Sequence, residues 1–408
     1  MLRRSHKKSR GGCVECKRRH VKCDENRPIC RLCVLSDRDC SFASQDQQQQ
    51  HDPSSRERSI ESDRRHGETV LDLRNITPLT PVSIVDSPGN LPAQHPHDAS
   101  LDDAINFDHM ELLIHAIQDR EMFEIGTGVG EYHASGIALG LKEALAAPYL
   151  MHELLAFSAQ HMAFLHPERS AHYLHQAVSL QTRAISLFNT TWTEVNKSNC
   201  VAILLFSSIL GHHLLADTLR KRDPGGLDAF IAHYVQCVEM HRGIYTIAKS
   251  AWPLLMQSEL EPILTQSTAF TSRQPKGNDC EPIKKLINNS TALSQVEKDA
   301  CHHTIQYLQV GIDAVAAKQE IFVNRHQMIY SLTMLVPPEM AALLAKKQPE
   351  ALVLLAYYAI LLHHGRELWQ SGDAGLYVFG LINGYLGEEW DEWMQYPREK
   401  IVGDMAME

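Results

Sequence analysis

The chain has 408 residues, 44% of them hydrophobic, and a formal net charge of -10. That much apolar material suffices for at least one sizeable buried core and excludes a chain that is disordered throughout. The negative total conceals an asymmetry. Residues 1–42 hold twelve Lys and Arg against five Asp and Glu, which leaves 27 basic against 44 acidic residues in the remainder. Such polarity points to a basic nucleic-acid module attached to an acidic body.

The first ten residues, MLRRSHKKSR, are charged and carry no apolar stretch after the charges. A secretory signal peptide is therefore not expected, and the protein is expected inside the cell. Ten cysteines divide into six within the first forty residues and four at Cys200, Cys237, Cys280 and Cys301. In a reducing compartment the dense group reads as a metal site rather than a disulfide framework. The other four show no ligand spacing and read as inert buried thiols.

Cys13, Cys16 and Cys23 are separated by two and then six residues, and Cys30, Cys33 and Cys40 repeat that unit. Six thiolates cannot serve two separate tetrahedral zinc sites, which need eight ligand positions. Two sulfurs must therefore bridge, giving a binuclear cluster that replaces the hydrophobic core forty residues cannot build. Metal binding and folding are then one event. The first six-residue insert, KRRHVK, carries four full positive charges, whereas the second carries one Arg against two Asp. Only the first half is suited to face phosphates. Six thiolates with two zinc ions sum to a charge of about -2, so the surplus of seven on residues 1–42 falls only to about five when metal is bound.

This spacing, with the basic insert, the Lys-Cys-Asp at 22–24 and Pro28 in the connecting loop, resembles the fungal binuclear zinc-cluster transcription factors over residues 10–42. The resemblance implies two zinc ions, with Cys13 and Cys30 as bridging ligands, Cys16 and Cys23 completing one site and Cys33 and Cys40 the other. It further implies that Lys17–Lys22 form a short helix and its surroundings in the major groove of duplex DNA, commonly at a CGG triplet. Lys17, Arg18, Arg19, His20 and Lys22 are then the DNA-facing residues, with Arg10, Lys7 and Lys8, alongside Arg3 and Arg4, on the backbone and serving as a nuclear import signal. Arg19 and His20 fall where the family usually presents two basic residues. An Arg donates bidentately to guanine, whereas a His offers one hydrogen bond, so the target triplet is open here.

Residues 43–103 hold QDQQQQ, charged stretches and six prolines, at 53, 78, 81, 88, 92 and 96. So polar a segment cannot bury enough apolar surface to offset its chain entropy, and it reads as a flexible linker. GTGVG at 126–130 lacks the Lys-Ser/Thr of a phosphate loop and reads as a turn.

From residue 104 the periodicity is helical. Leu174, Ala177, Val178, Gln181, Ala184, Ile185 and Phe188 recur at three- and four-residue steps. Similar stretches occupy 109–124, 149–165, 200–219, 228–248, 296–323, 326–336, 350–364 and 376–386. The longest apolar run, Val201–Ala216, is interrupted by Gly211, His212 and His213 and falls short of the eighteen or so residues that cross a membrane, so it reads as a fully buried core helix. Pro349 with Glu350 suits a helix start, and Pro337 with Pro338 ends the segment before it. The His pairs 212/213, 302/303 and 363/364 are adjacent, so they point to different sides of a helix and lack metal-pair spacing. No nucleophile motif appears, and an enzyme is not expected.

Residues 147–189, 349–369 and 390–401 resemble the helical regulatory domain of sterol uptake control proteins and their relatives in filamentous fungi. The resemblance implies a regulator of sterol genes or of a secondary-metabolite gene cluster, and the sequence does not choose between them. It also implies an apolar small-molecule ligand such as a sterol. The helix at 201–215, with Tyr357, Tyr358, Trp369 and Phe379, is a candidate lining for its pocket, although aromatics at helical spacing are also ordinary core. Residues 43–75 lack a heptad, so the protein binds either as a monomer or as a homodimer through its helical domain.

The expected architecture is a small zinc-stabilised DNA-binding module (1–42) and a large all-α regulatory domain (104–408), joined by a disordered linker (43–103). The expected function is zinc-dependent, sequence-specific control of RNA polymerase II genes in the nucleus of a fungus, with transcriptional coregulators as partners, no membrane span, and shuttling to the cytoplasm left open. The alternative is a zinc-containing protein-interaction adaptor with a helical small-molecule-binding domain.

Overall fold

A computed structural model describes residues 13–18, 23, 33, 105–123, 129–191, 194–317 and 320–403. The linker expected over 43–103 lies outside the described residues. The chain divides into two units, Met1–Glu68 and Thr69–Glu408.

The N-terminal unit shows one helix among its described residues, α1 (Val14–Arg18). The second unit is helical, with no strand among its described residues. Its helices are α2 (Phe107–Gln118), α3 (Val129–Ala146), α4 (Pro148–Leu165), α5 (Ser170–Thr191), α6 (Cys200–Arg220), α7 (Gly226–Leu255) and α8 (Glu261–Thr271). They continue with α9 (Glu281–Asn289), α10 (Gln295–Ala316), α11 (Phe322–Leu335), α12 (Pro338–Ala345), α13 (Pro349–His364), α14 (Ala374–Leu386) and α15 (Asp391–Arg398).

Local chemistry sets several of these boundaries. Asn106 caps α2 by accepting the backbone N–H of His109 at 3.0 Å. Ser294 and Glu297 form a reciprocal capping box at the start of α10, which satisfies two backbone donors that a helix end otherwise leaves open. Proline opens α4, α12 and α13, where its missing N–H costs nothing. The expected break at Pro337 and Pro338 is present: α11 stops at Leu335 and α12 begins at Pro338.

The periodic stretches map onto helices, with two corrections. The 296–323 stretch is two elements, since α10 ends at Ala316 and α11 begins at Phe322. In α5 the buried seam is Tyr173, Ala177, Leu180, Ala184, Ile185 and Phe188, whereas Leu174 and Val178 are exposed. The seam follows alternating four- and three-residue steps from Tyr173, because α4 packs along that side. Within GTGVG, 126–128 lie outside the described residues, and Val129 and Gly130 already belong to α3 rather than to a turn.

The core sits around α13. Every side chain from Glu350 to His363 is buried, enclosed by α10, α11, α14 and α15. Fully burying each large aliphatic or aromatic side chain of such a helix contributes on the order of 2 kcal/mol. Tyr358 donates to the carbonyl of Ile329 at 2.7 Å, which fixes α13 against α11. Glu350 accepts from Ser290 at 2.5 Å and Gln348 at 2.7 Å, so its burial leaves no carboxylate oxygen unserved.

Helix α6 occupies the stretch expected as a fully buried core helix too short to cross a membrane, and corrects that expectation on both counts. By length and composition it is apolar enough to cross a membrane, yet two-thirds of it is buried within this unit. Cys200, Cys237, Cys280 and Cys301 are all buried, and burial pushes the thiols of Cys280 and Cys301 up to about 12. Such thiols stay protonated and inert, as expected.

Helix α14 approaches α13 backbone to backbone. A Cβ on Gly375 would stand 2.5 Å from the His363 nitrogen and 2.7 Å from the Ala359 oxygen, whereas one on Gly380 in the same helix would meet nothing within 4 Å. Gly375→Ala is expected to destabilise the helical unit by about 1–3 kcal/mol or more. Gly380→Ala is expected to stabilise it by about 0.5–1 kcal/mol, so denaturant titration should show the pair shifting in opposite directions.

Burial holds the His212 imidazole down to about 3 and that of His241 to about 4. An unfolded histidine titrates near 6.5, so unfolding takes up a proton at each site below that pH. Stability from these sites is constant above pH 6.5 and falls toward pH 4, by about 2 kcal/mol per site at pH 5. Glu153 opposes the trend, because burial pushes its carboxyl up and its penalty eases as pH falls. Denaturation at pH 7 and pH 5 of wild type and His241→Gln isolates the histidine: the variant is expected to lose less stability on acidification.

Candidate metal centre and ligand cavity

The described part of the N-terminal unit buries four cysteines, Cys13, Cys16, Cys23 and Cys33. Helix α1 begins directly after Cys13, whose carbonyl accepts the Lys17 N–H at 3.1 Å. That turn puts Cys16 back over Cys13, and the Cys16 N–H points to the Cys13 sulfur at 3.4 Å. The Cys13 N–H points in turn to the sulfur of Cys23, also at 3.4 Å. Backbone N–H groups aimed at sulfur in this way orient the thiol groups toward one another.

The sulfurs of Cys13 and Cys33 lie 3.6 Å apart, and those of Cys13, Cys16 and Cys33 all fall within 4.8 Å of one another. Two sulfurs on one tetrahedral zinc at about 2.3 Å stand about 3.8 Å apart. The arrangement therefore fits thiolates gathered on metal, with Cys13 close to members of both half-units. Cys30 and Cys40 lie outside the described residues.

Of the expected DNA-facing residues, Lys17 and Arg18 are described, and both are exposed on α1. Their settings differ. Arg18 makes a two-pronged pair with Glu15, with both N–O distances 3.0 Å, whereas Lys17 has no carboxylate partner among the described residues. The sequence reading passed over Glu15, although its three-residue offset from Arg18 is the spacing at which helical side chains meet. Lys7, Lys8, Arg10, Arg19, His20 and Lys22 lie outside the described residues.

The helical unit contains an apolar cavity of about 580 Å³. Its walls come from α3, α6, α7, α8 and α11, through residues such as Ile137, Leu205, Ile244, Leu264 and Met334. At its polar end His212 stacks on Tyr330, ring centroids 3.8 Å apart, and Tyr330 donates to the Ser208 carbonyl at 3.3 Å. Gly211 makes this end possible, since a Cβ there would stand 2.6 Å from both His241 Nε2 and the Tyr330 hydroxyl. With His212 neutral, the described polar end holds hydrogen-bonding groups without a buried charge.

Helix α6 lines the cavity through Leu204, Leu205, Ser208, Ile209 and His212, so half of the expected lining is present. Tyr357, Tyr358, Trp369 and Phe379 do not line it; they are packed into the core instead. The all-round burial of α13 leaves Tyr357 and Tyr358 no free face, Trp369 packs on Phe157 and His161, and Phe379 of α14 joins the core around α13. The adjacent histidines part company as expected. His213 pairs with buried Glu153 at 2.9 Å while His212 faces Tyr330, and His302 meets Asn288 at 2.9 Å.

Residues 11–50 match the fungal Zn(2)-Cys(6) binuclear cluster domain. Over 98% of its length the chain is 21% identical to a Zn(2)-C6 fungal-type transcription factor of Gibberella zeae, covering 87% of that relative. Shorter matches include sterol uptake control protein 2 of Candida albicans, 52% identical over 40 residues, 10% of this chain and 6% of that protein. A Zn(2)-C6 fungal-type transcription factor of Aspergillus fumigatus is 61% identical over 31 residues, 8% of each chain. Residues 11–50 thus carry a Zn(2)-Cys(6) binuclear cluster domain, a domain that binds two zinc ions, and the similar proteins named here include transcription factors.

Proposed function

We propose that this chain is a nuclear, zinc-dependent, sequence-specific regulator of RNA polymerase II genes, in which Cys13, Cys16, Cys23, Cys30, Cys33 and Cys40 hold two zinc ions. The observation that carries the reading is the duplicated cysteine unit, together with the close approach of the Cys13, Cys16 and Cys33 sulfurs. Cys13 and Cys30 bridge in this reading. Lys17, Arg18, Arg19, His20 and Lys22 face duplex DNA, and Lys7, Lys8 and Arg10 hold the phosphate backbone. Phosphate contacts supply affinity and base contacts supply sequence preference, so the two groups separate by mutation.

The helical unit is the regulatory half, with the cavity as its ligand site. A volume of about 580 Å³ falls in the range of small-molecule sites, and apolar walls with a neutral polar end suit a largely apolar molecule carrying a hydroxyl or carbonyl group. A sterol meets that description, and two relatives, each similar over 40 residues or 10% of this chain, bear the name sterol uptake control protein. An apolar product of a secondary-metabolite pathway meets it equally. For the homodimer reading, α2 offers a contact: Phe107, Met110, Ile114 and Ile117 are all exposed and repeat at the spacing of a helix–helix seam, which a second copy of α2 matches.

DNA binding by the full chain is expected to be lost on chelation and restored by zinc, with a steep salt dependence. Lys17→Ala should weaken all sequences alike and lower the salt slope by about one. Glu15→Gln releases Arg18 and removes a negative charge beside it, so tighter binding and a steeper slope are expected. His20→Lys should shift the preferred sequence. Chelator-resistant binding, or an unchanged preference in His20→Lys, would contradict the metal-folded or base-reading assignment respectively.

Trp252 lines the cavity and reports on its contents. A fluorescent sterol is expected to alter its emission by energy transfer, and Leu264→Trp, which fills the cavity from α8, should abolish binding at unchanged fold. Undiminished binding in the filled variant would remove the cavity from the account.

A further inference from the structure

His115, Asp119 and His161, none of which lines the cavity, come together within the helical unit. His115 lies near the C-terminal end of α2, Asp119 follows the helix one turn on, and His161 projects from α4. His115 Nε2 stands 3.1 Å from His161 Nδ1. The Asp119 carboxylate lies 4.0 Å from the His115 ring and 3.9 Å from the His161 ring. One donor atom from each residue falls within 4.8 Å of the other two.

We propose that these three side chains form a binding site for a divalent first-row transition metal, which fastens the end of α2 to α4. Two imidazole nitrogens on one zinc or nickel at about 2.0–2.1 Å stand about 3.3 Å apart in tetrahedral geometry, close to the observed separation. Imidazole with a single carboxylate suits zinc, nickel or copper rather than magnesium or calcium, which prefer oxygen donors throughout.

The surroundings fit this use. Asp119 Oδ1 already accepts the N–H groups of Glu121 and Met122, at 2.9 and 3.2 Å. That anchors the carboxylate, whose Oδ1 is also the oxygen 3.9 Å from His161 Nδ1 and whose Oδ2 stands 4.0 Å from His115 Nδ1. The His161 ring is fully buried against Trp369, centroids 4.7 Å apart, so it cannot swing away. The His115 and Asp119 side chains are 12% and 25% exposed, which leaves an entry path and room for water as a fourth ligand. Burial keeps both imidazoles below their usual range, hence neutral at pH 7 and able to ligate. The guanidinium of Arg220 also acts on His161, and the Asp119 charge offsets it for an incoming cation.

Nickel added to the zinc-loaded full chain tests the site, because the thiolate cluster is already filled. Wild type is expected to bind one nickel more per chain than His115→Gln or Asp119→Asn, both changes at part-exposed side chains. Its melting temperature should rise with the logarithm of free nickel, and the two variants should lose that rise while keeping two zinc ions and DNA binding. Equal nickel stoichiometry in all three proteins, or a melting temperature indifferent to nickel, would overturn the proposal and leave a hydrogen-bonded histidine pair only.

Discussion

The N-terminal unit depends on bringing thiolates together. Forty residues cannot bury the apolar surface that an ordinary core requires, and the residues this unit does bury, among those described, are cysteines. Coordinated zinc supplies the cross-linking that side-chain packing supplies elsewhere. The consequence is electrostatic as well as structural. Six thiolates with two zinc ions sum to about -2, so the N-terminal forty-two residues keep a surplus of positive charge. Metal binding and folding of such a module are one event.

The helical unit meets the opposite problem, since it has apolar surface to spare. Its solution is to enclose α13 on every side, with α14 so close that only glycine fits at position 375. Helices α3, α6, α7, α8 and α11 leave the apolar cavity between them. The polar end of the cavity is built on Gly211, His212, His241 and Tyr330, and all four are buried.

Much of this was legible in the chain itself. The cysteine spacing was decisive because metal ligation demands fixed residue types at fixed intervals. The helices at 149–165, 200–219 and 350–364 announced themselves through length and apolar content. Helices α3, α8, α9 and α12 did not, for reasons that can be named. Gly136 and Gly140 blur the period of α3, α8 is rich in Ser and Thr, and α9 and α12 are only nine and eight residues long. The aromatics of α13 pointed to a pocket that lies elsewhere, since sequence reports apolar character but not which face remains free. The histidine pair was hidden for a related reason. His115 and His161 are 46 positions apart, and only the four-residue step from His115 to Asp119 offered a local sign.

The central claim is that a metal-folded cysteine module directs this chain to particular DNA sequences. Genomic occupancy mapping of the wild-type protein beside Cys16→Ser tests it most directly. The account predicts one enriched sequence motif for the wild type, and loss of occupancy at those sites when Cys16 can no longer ligate. Occupancy without an enriched motif, or the same motif bound by both proteins, would contradict it.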